Sequence, residues 1–252
     1  MSFSKKVVLI TGASSGIGAT TAIQFAKNNA TLVLVGRNEN KLKLVANECE
    51  QHNNAKVLTV TADLSVDEDV EKIVKETVNH FERIDILINC AGMSKFGGIK
   101  EGIKIYDQVS AINVRGTYLL TSKVVPYIIK SKGNIVNVSS VLAQKCLKEI
   151  NMLAYSMSKA ALDQFTKCLA LELGKDGVRV NAVSPGVTRT PFFETLGIEK
   201  DNVDNVLSNI PTALGKIIET NEVANVILFL AGDQGMSITG SVYVIDNGEL
   251  LM

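Results

Sequence analysis

A doubly wound α/β fold, one parallel sheet of seven strands with helices on both faces, is what the sequence predicts. Three observations predict it. Short apolar, β-branched runs alternate with longer amphipathic stretches along the whole chain. A glycine-rich turn, Thr11 to Gly18, stands between the first such run and the first amphipathic stretch. No linker, repeat or low-complexity tract interrupts the 252 residues, a length normal for one α/β domain. We therefore expect a single domain over 1–252.

The elements follow in order. Lys6-Val-Val-Leu-Ile10 is a continuous apolar run and reads as a buried strand. The first helix, 16–29, carries Ile23, Phe25 and Ala26 on its apolar side. Further strands are predicted at 31–35, 56–60, 84–89, 134–138, 178–183 and 241–245. Helices fill the gaps at 38–52, 67–81, 104–131, 154–174 and 220–231. Right-handed crossovers then place ligands beyond the carboxyl ends of the strands, where strand order reverses. The stretch 187–219 is irregular yet apolar, with Pro191, Phe192, Phe193, Leu196, Ile198, Val203, Val206, Leu207, Ile210 and Pro211. Such a connection reads as a lid over a lipophilic substrate; a surface helix packed on the core is the plainer alternative.

Composition excludes several classes. Apolar residues make up 46% and charged residues 21%, enough for a substantial core. Formal net charge is +0 and no basic run occurs, which argues against nucleic acid as a partner. The apolar runs are strand length, far short of the ~20 residues that span a bilayer. The first strand begins by Lys6, so no signal peptide is expected and a cytoplasmic protein is the default. Cys49, Cys90, Cys146 and Cys168 lack Cys-x-x-Cys spacing, so neither a metal nor a disulfide is expected. His52 and His80 receive no role.

Two motifs carry chemistry. In Thr11-Gly-Ala-Ser-Ser-Gly-Ile-Gly18, Gly12 permits a tight turn, Gly16 a close approach of backbone to a pyrophosphate, and Gly18 close packing of helix on strand. The helix N-terminus then presents free N–H groups to phosphate. Tyr155 and Lys159 lie four apart, so on a helix a phenol sits beside an ammonium. A free tyrosine, with pKa near ~10, is a poor acid or base at neutral pH, and a nearby cation favours its phenolate. Taken alone, the same pair also suits a solvated helix face.

Together these motifs resemble the short-chain dehydrogenase/reductase family, and the resemblance covers essentially the whole chain. Asp63-Leu64 resembles its adenine contact, Asn89-Cys-Ala-Gly92 its Asn-Asn-Ala-Gly, and Asn113-Val its helix asparagine. Asn137-Val-Ser-Ser140 resembles the segment of the active-site serine, and Pro185-Gly186 with Thr190 the nicotinamide loop. A Rossmann-type fold is thereby implied, with Asn113, Ser140, Tyr155 and Lys159 catalytic. The implied cofactor contacts are Gly12, Ser14, Ser15, Gly16, Ile17, Gly18, Arg37, Asn38, Asp63, Leu64, Asn89, Ala91, Gly92, Tyr155, Lys159, Pro185, Gly186, Val187 and Thr190. By the same resemblance Ser140 polarises the substrate carbonyl and Tyr155 moves the proton. Lys159 lowers the Tyr155 pKa and holds the ribose, and Asn113 supports Lys159 through water.

Cofactor choice turns on the end of the second strand. Leu32-Val-Leu-Val35 ends in Gly36-Arg37-Asn38, with no carboxylate before Glu39. A guanidinium there pairs with a 2′-phosphate, so NADP(H) is favoured over NAD(H). Arg37 stacked on adenine, with NAD also serving, is the other reading, and Ser15 stands where many NADP users carry a second basic residue.

Substrate class rests on the resemblance and the apolar lid. The pattern is similar to single-domain invertebrate 3-oxoacyl-reductase-like and ecdysteroid- or steroid-type carbonyl reductases. A lipophilic ketone or secondary alcohol is expected, of steroid, isoprenoid or 3-oxoacyl type. Departures lie at Cys90, at Ala143, at Asn247, and in a 140–155 segment about two residues longer, with Lys145, Cys146, Lys148 and Glu149. Enoyl reductases space Tyr and Lys more widely, and sugar epimerases are longer. An NADPH-binding sensor without turnover is the reading from another class. The resemblance also implies a homotetramer, through helices 104–131 and 154–174 and through Ile238, Val242, Val244, Leu250 and Leu251.

Overall fold

Seven strands form one sheet in the order β3-β2-β1-β4-β5-β6-β7. They are β1 Val7–Thr11, β2 Thr31–Gly36, β3 Val57–Thr61, β4 Ile86–Asn89, β5 Asn134–Val138, β6 Arg179–Pro185 and β7 Val242–Ile245. Every neighbouring pair is parallel. The chain is represented by a computed structural model that describes residues 1–146 and 151–252. Lys148 and Glu149 of the long 140–155 segment therefore lie outside the described residues, and of residues 200, 204, 206 and 208 only the backbone is described.

The β-branched runs fold as strands because both of their faces find cover. Val8, Ile10, Leu32 and Leu34 point into one core with Ala22 and Phe25 of α1 (Gly16–Lys27), Leu42 of α2 (Glu39–Glu50) and Ile227 of α9 (Thr220–Ala231). Their sequence neighbours Val7, Leu9, Val33 and Val35 point into a second core on the opposite face. There they meet Ile73 of α3 (Asp67–Phe81), Leu120 of α5 (Thr117–Ser131) and Leu169 of α6 (Leu153–Leu173). Strands buried on both faces read as continuous apolar runs, and these do.

The predicted helix 104–131 is helical throughout but not uniform. It comprises α4 (Ile103–Ser110), a π-helical turn at Ala111–Gly116, and α5. That wider turn holds Asn113 and faces α6. Within 187–219, α7 (Phe192–Thr195) and α8 (Lys200–Ser208) replace an unstructured loop. A short parallel bridge, Thr188 with Ile218, pins the two ends of this segment together. Val203 and Leu207 of α8 are buried, which is why the segment folds inward. Among the described residues no helix is long and apolar enough to cross a membrane.

Candidate active site

Strand order reverses between β1 and β4, and the carboxyl ends of these strands open a cleft. The Thr11 hydroxyl closes its floor, accepting from the Cys90 and Ala91 amides at 3.1 and 3.0 Å. Gly12 turns there with φ +67, and a Cβ on it would lie 2.9 Å from the Ala91 backbone. At Gly18 a Cβ would lie 2.3 Å from the Gly12 carbonyl oxygen, so only glycine lets α1 start this close to the turn. The α1 N-cap, Ser15, makes no side-chain cap, and no acid stands in the first turn. The first-turn amides and the positive end of the helix are thus free for an anionic group. That arrangement fits the pyrophosphate of a dinucleotide.

The adenine end is built by the loops after β2 and β3. Arg37 Nη1 lies 3.8 Å from Asp63 Oδ2 across the cleft mouth. The first carboxylate after β2, Glu39, turns away to Lys43 at 2.6 Å. Asn38 caps α2, its Oδ1 accepting from the Lys41 amide at 2.9 Å.

The opposite end collects the reactive groups. Ser140, two residues past β5, accepts from the Leu142 amide at 3.2 Å, and its hydroxyl is close enough to the Tyr155 phenol to favour the phenolate. Tyr155 and Lys159 lie one turn apart on α6, both buried, with Nζ 5.5 Å from the ring centroid. Lys159 donates to the Val138 carbonyl at 2.7 Å. Asn113 accepts from the Met93 amide at 2.8 Å and donates to the Met93 carbonyl and to Ser158, each at 2.9 Å. Its side chain thus ties the turn after Gly92 to α6, beside Lys159 rather than against it.

Electrostatics here are governed by burial. Tyr155 is pushed up to about 12 by burial, with Cys90 adding and the Ser140 hydroxyl opposing. Lys159 is pushed down to about 8 by burial, with Cys90 and Asp163 opposing. The expected depression of the phenol by Lys159 is not found in this structure. The ammonium is committed to the Val138 carbonyl and stands beside the ring, and loss of water is the largest influence on the phenol.

The cleft encloses about 690 Å³, within the ~300–1,000 Å³ usual for ligand sites. All the sequence-predicted contacts line it except Asn38, Asn89 and Asn113. Asn89 is instead buried between strands, donating to Asn137 at 2.9 Å and Thr121 at 3.1 Å. Lys41, Phe96, Met152 and Glu249 line the cleft without having been singled out. Lys41, one turn past Arg37, had a legible signal in its charge; the others carry none.

A nicotinamide-dependent oxidoreductase is the class that this fold defines. The family model described as enoyl-(acyl carrier protein) reductase matches residues 12–249. The 3-oxoacyl-[acyl-carrier-protein] reductase of Thermotoga maritima is 38% identical over 250 residues, covering 98% of each chain. A Caenorhabditis elegans short-chain dehydrogenase/reductase of unknown function, solved with cofactor, superposes with TM-score 0.94 at 35% identity, covering 99% of this chain and 97% of that one. L-sorbose reductase of Gluconobacter frateurii, complexed with NADPH and L-sorbose, gives TM-score 0.91 at 30% identity, covering 100% and 99%. The chain belongs to the short-chain dehydrogenase/reductase family.

Proposed function

We propose that the chain is an NADP(H)-dependent carbonyl reductase, or alcohol dehydrogenase in reverse, acting on a lipophilic ketone or secondary alcohol. One observation carries the reading: Ser140, Tyr155 and Lys159 line the same cleft as Phe192, Phe193, Leu196 and Ile198, with the Phe192 ring packed against that of Tyr155. When bound, the nicotinamide supplies or accepts the hydride. The chain's own residues handle the oxygen and its proton. Ser140 donates a hydrogen bond to the substrate oxygen, stabilising charge that develops there. Tyr155 gives its phenolic proton to that oxygen in reduction and takes it back in oxidation. Lys159 stabilises the phenolate left behind and has two further protons for ribose hydroxyls. Asn113 acts by position, fixing the 92–94 turn against α6.

Arg37 supports NADP(H), because it stands at the cleft mouth while Glu39 is occupied by Lys43. Residues 187–219 act as a lid: their base is pinned at Thr188 and Ile218, and Phe192 lies over Tyr155. One dinucleotide-binding and catalytic domain accounts for 1–252. The i,i+4 spacing of Tyr155 and Lys159 supports carbonyl over enoyl chemistry. Exposed Tyr118, Met157 and Leu171 on α5 and α6, with Val244 and Leu251 near the C-terminus, support assembly as a homotetramer.

The test is NADPH and NADH oxidation against 3-ketosteroids, 3-dehydroecdysteroids, farnesal-type aldehydes, acetoacetyl thioesters and small diketones. Tyr155→Phe runs alongside. NADPH-dependent turnover of an apolar ketone that disappears in the variant is expected. Tight NADPH binding with no turnover on any of them would favour the sensor reading instead.

A further inference from the structure

The turn at 246–251 carries a buried carboxylate that the proposed chemistry does not use. Glu249 is 1% exposed, yet it lines the cleft. Its Oε2 accepts from the Val187 amide at 2.9 Å. A Cβ on the neighbouring Gly186 would lie 2.6 Å from the same oxygen, so the glycine there admits the carboxylate. On the other side, Lys145 Nζ donates to the Glu249 carbonyl at 3.0 Å and lies 3.9 Å from Oε1. Lys145 belongs to the lengthened segment that follows Ser140.

The turn itself is held rigid. Asp246 accepts from the Gly248 and Leu250 amides, each at 2.8 Å. The Asn247 carbonyl accepts from the Leu214 amide at 3.0 Å, and its Nδ2 donates to the Lys216 carbonyl at 3.0 Å. One turn therefore touches the segment after Ser140, the loop after Pro185, and the far end of the lid. A buried carboxylate is costly unless it is compensated; here the Val187 amide bonds Oε2 directly, while the Lys145 ammonium, bonded to the Glu249 carbonyl from another wall of the cleft, adds a looser attraction.

We propose that Glu249 is a positioning residue that sets the nicotinamide end of the cleft, holding the Val187 amide on one side and Lys145 on the other. The inference rests on the proposed reading of 185–190 as the nicotinamide loop. It assigns Lys145 a task as well: the ammonium joins the substrate-side segment to that loop through Glu249, so the two walls move as one.

The experiment separates the two halves of the cofactor. Calorimetric Kd values are measured for NADPH and for 2′,5′-ADP, which lacks the nicotinamide, with NADH and ADP in parallel. The proteins are wild type, Glu249→Gln, Lys145→Met and the double variant. Each single variant is expected to bind NADPH about tenfold more weakly, the scale of one charge-assisted hydrogen bond, with 2′,5′-ADP unchanged. The double variant is expected to lose less than the sum of the two singles, because both bonds hold the same turn at Glu249. Unchanged fragment binding also certifies that each variant is folded. Equal losses for both ligands, no loss, or additive losses would overturn the role of Glu249 alone. Wild-type protein that binds neither dinucleotide would overturn the cofactor reading and this inference with it.

Discussion

Phe192 lays its ring against that of Tyr155, centroids 5.6 Å apart and planes inclined at 46°. The lid therefore touches the proposed proton donor itself. Cutting Phe192 to alanine also removes an aromatic wall of the cleft; a ring contact with apolar substrate surface there is worth roughly 0.5–1.5 kcal/mol, which corresponds to about two- to tenfold in affinity. KM for an apolar ketone is expected to rise by that factor and KM for a small diketone to stay nearly constant. Steady-state kinetics on both substrates checks it; an equal rise for both would mean that Phe192 does not select for apolar surface.

Lys159 sets the pH range. Pushed down to about 8, it carries its charge below that pH and loses it above, while Tyr155, pushed up to about 12, keeps its proton throughout. Reduction uses protonated Tyr155 beside charged Lys159. Its kcat/KM is thus expected to hold level below about 8 and to fall as pH rises further. Tyr155→Phe is expected to lose about 10²–10⁴ of kcat, the usual contribution of a positioned acid, with cofactor affinity retained. A profile that stays flat to pH 10 would remove Lys159 from the rate-limiting proton chemistry.

Much of this architecture is legible in the residues. Leu32-Val-Leu-Val35 declares a strand buried on both faces, and Thr11 to Gly18 declares a turn that only glycine can make. What stays hidden depends on contacts across the chain. Ala111 to Gly116 reads as ordinary helix, because a π turn has no local signature. Glu249 shows no motif, since its partner Val187 lies 62 residues away. The Tyr155–Lys159 spacing is plain, but the balance between burial and charge that fixes their protons is a property of the folded cleft alone.

Arg37 is the cofactor discriminator to test. It is largely exposed at the cleft mouth and its partner Asp63 stands at 3.8 Å, too far for a tight pair, so the guanidinium is available to a 2′-phosphate. Arg37→Ala is expected to lower kcat/KM with NADPH by about ten- to a hundredfold, the scale of a charge-assisted bond, and to leave NADH within a factor of about three. Parallel losses with both cofactors would assign Arg37 to adenine stacking.

Gly18 and Gly174 make a matched pair for the glycine turn. A methyl on Gly18 would meet the Gly12 carbonyl oxygen at 2.3 Å and its carbon at 2.8 Å, both backbone atoms that cannot rotate away. Gly18→Ala must therefore push α1 off the turn, an overpacking that costs about 1–3 kcal/mol. At about 2–4 °C per kcal/mol for a chain of this size, Tm is expected to fall by several degrees. Displaced helix-start amides should also weaken dinucleotide binding. Gly174, in ordinary helical backbone with nothing within 4 Å of its added Cβ, has no such obstacle. Gly174→Ala is expected to leave cofactor affinity unchanged and to raise stability slightly, by about 0.4–1 kcal/mol, through the unfolded chain. Calorimetric melting and NADPH titration of the two variants decide the matter: similar behaviour would show that the closeness of α1 to the turn is not what the glycine secures.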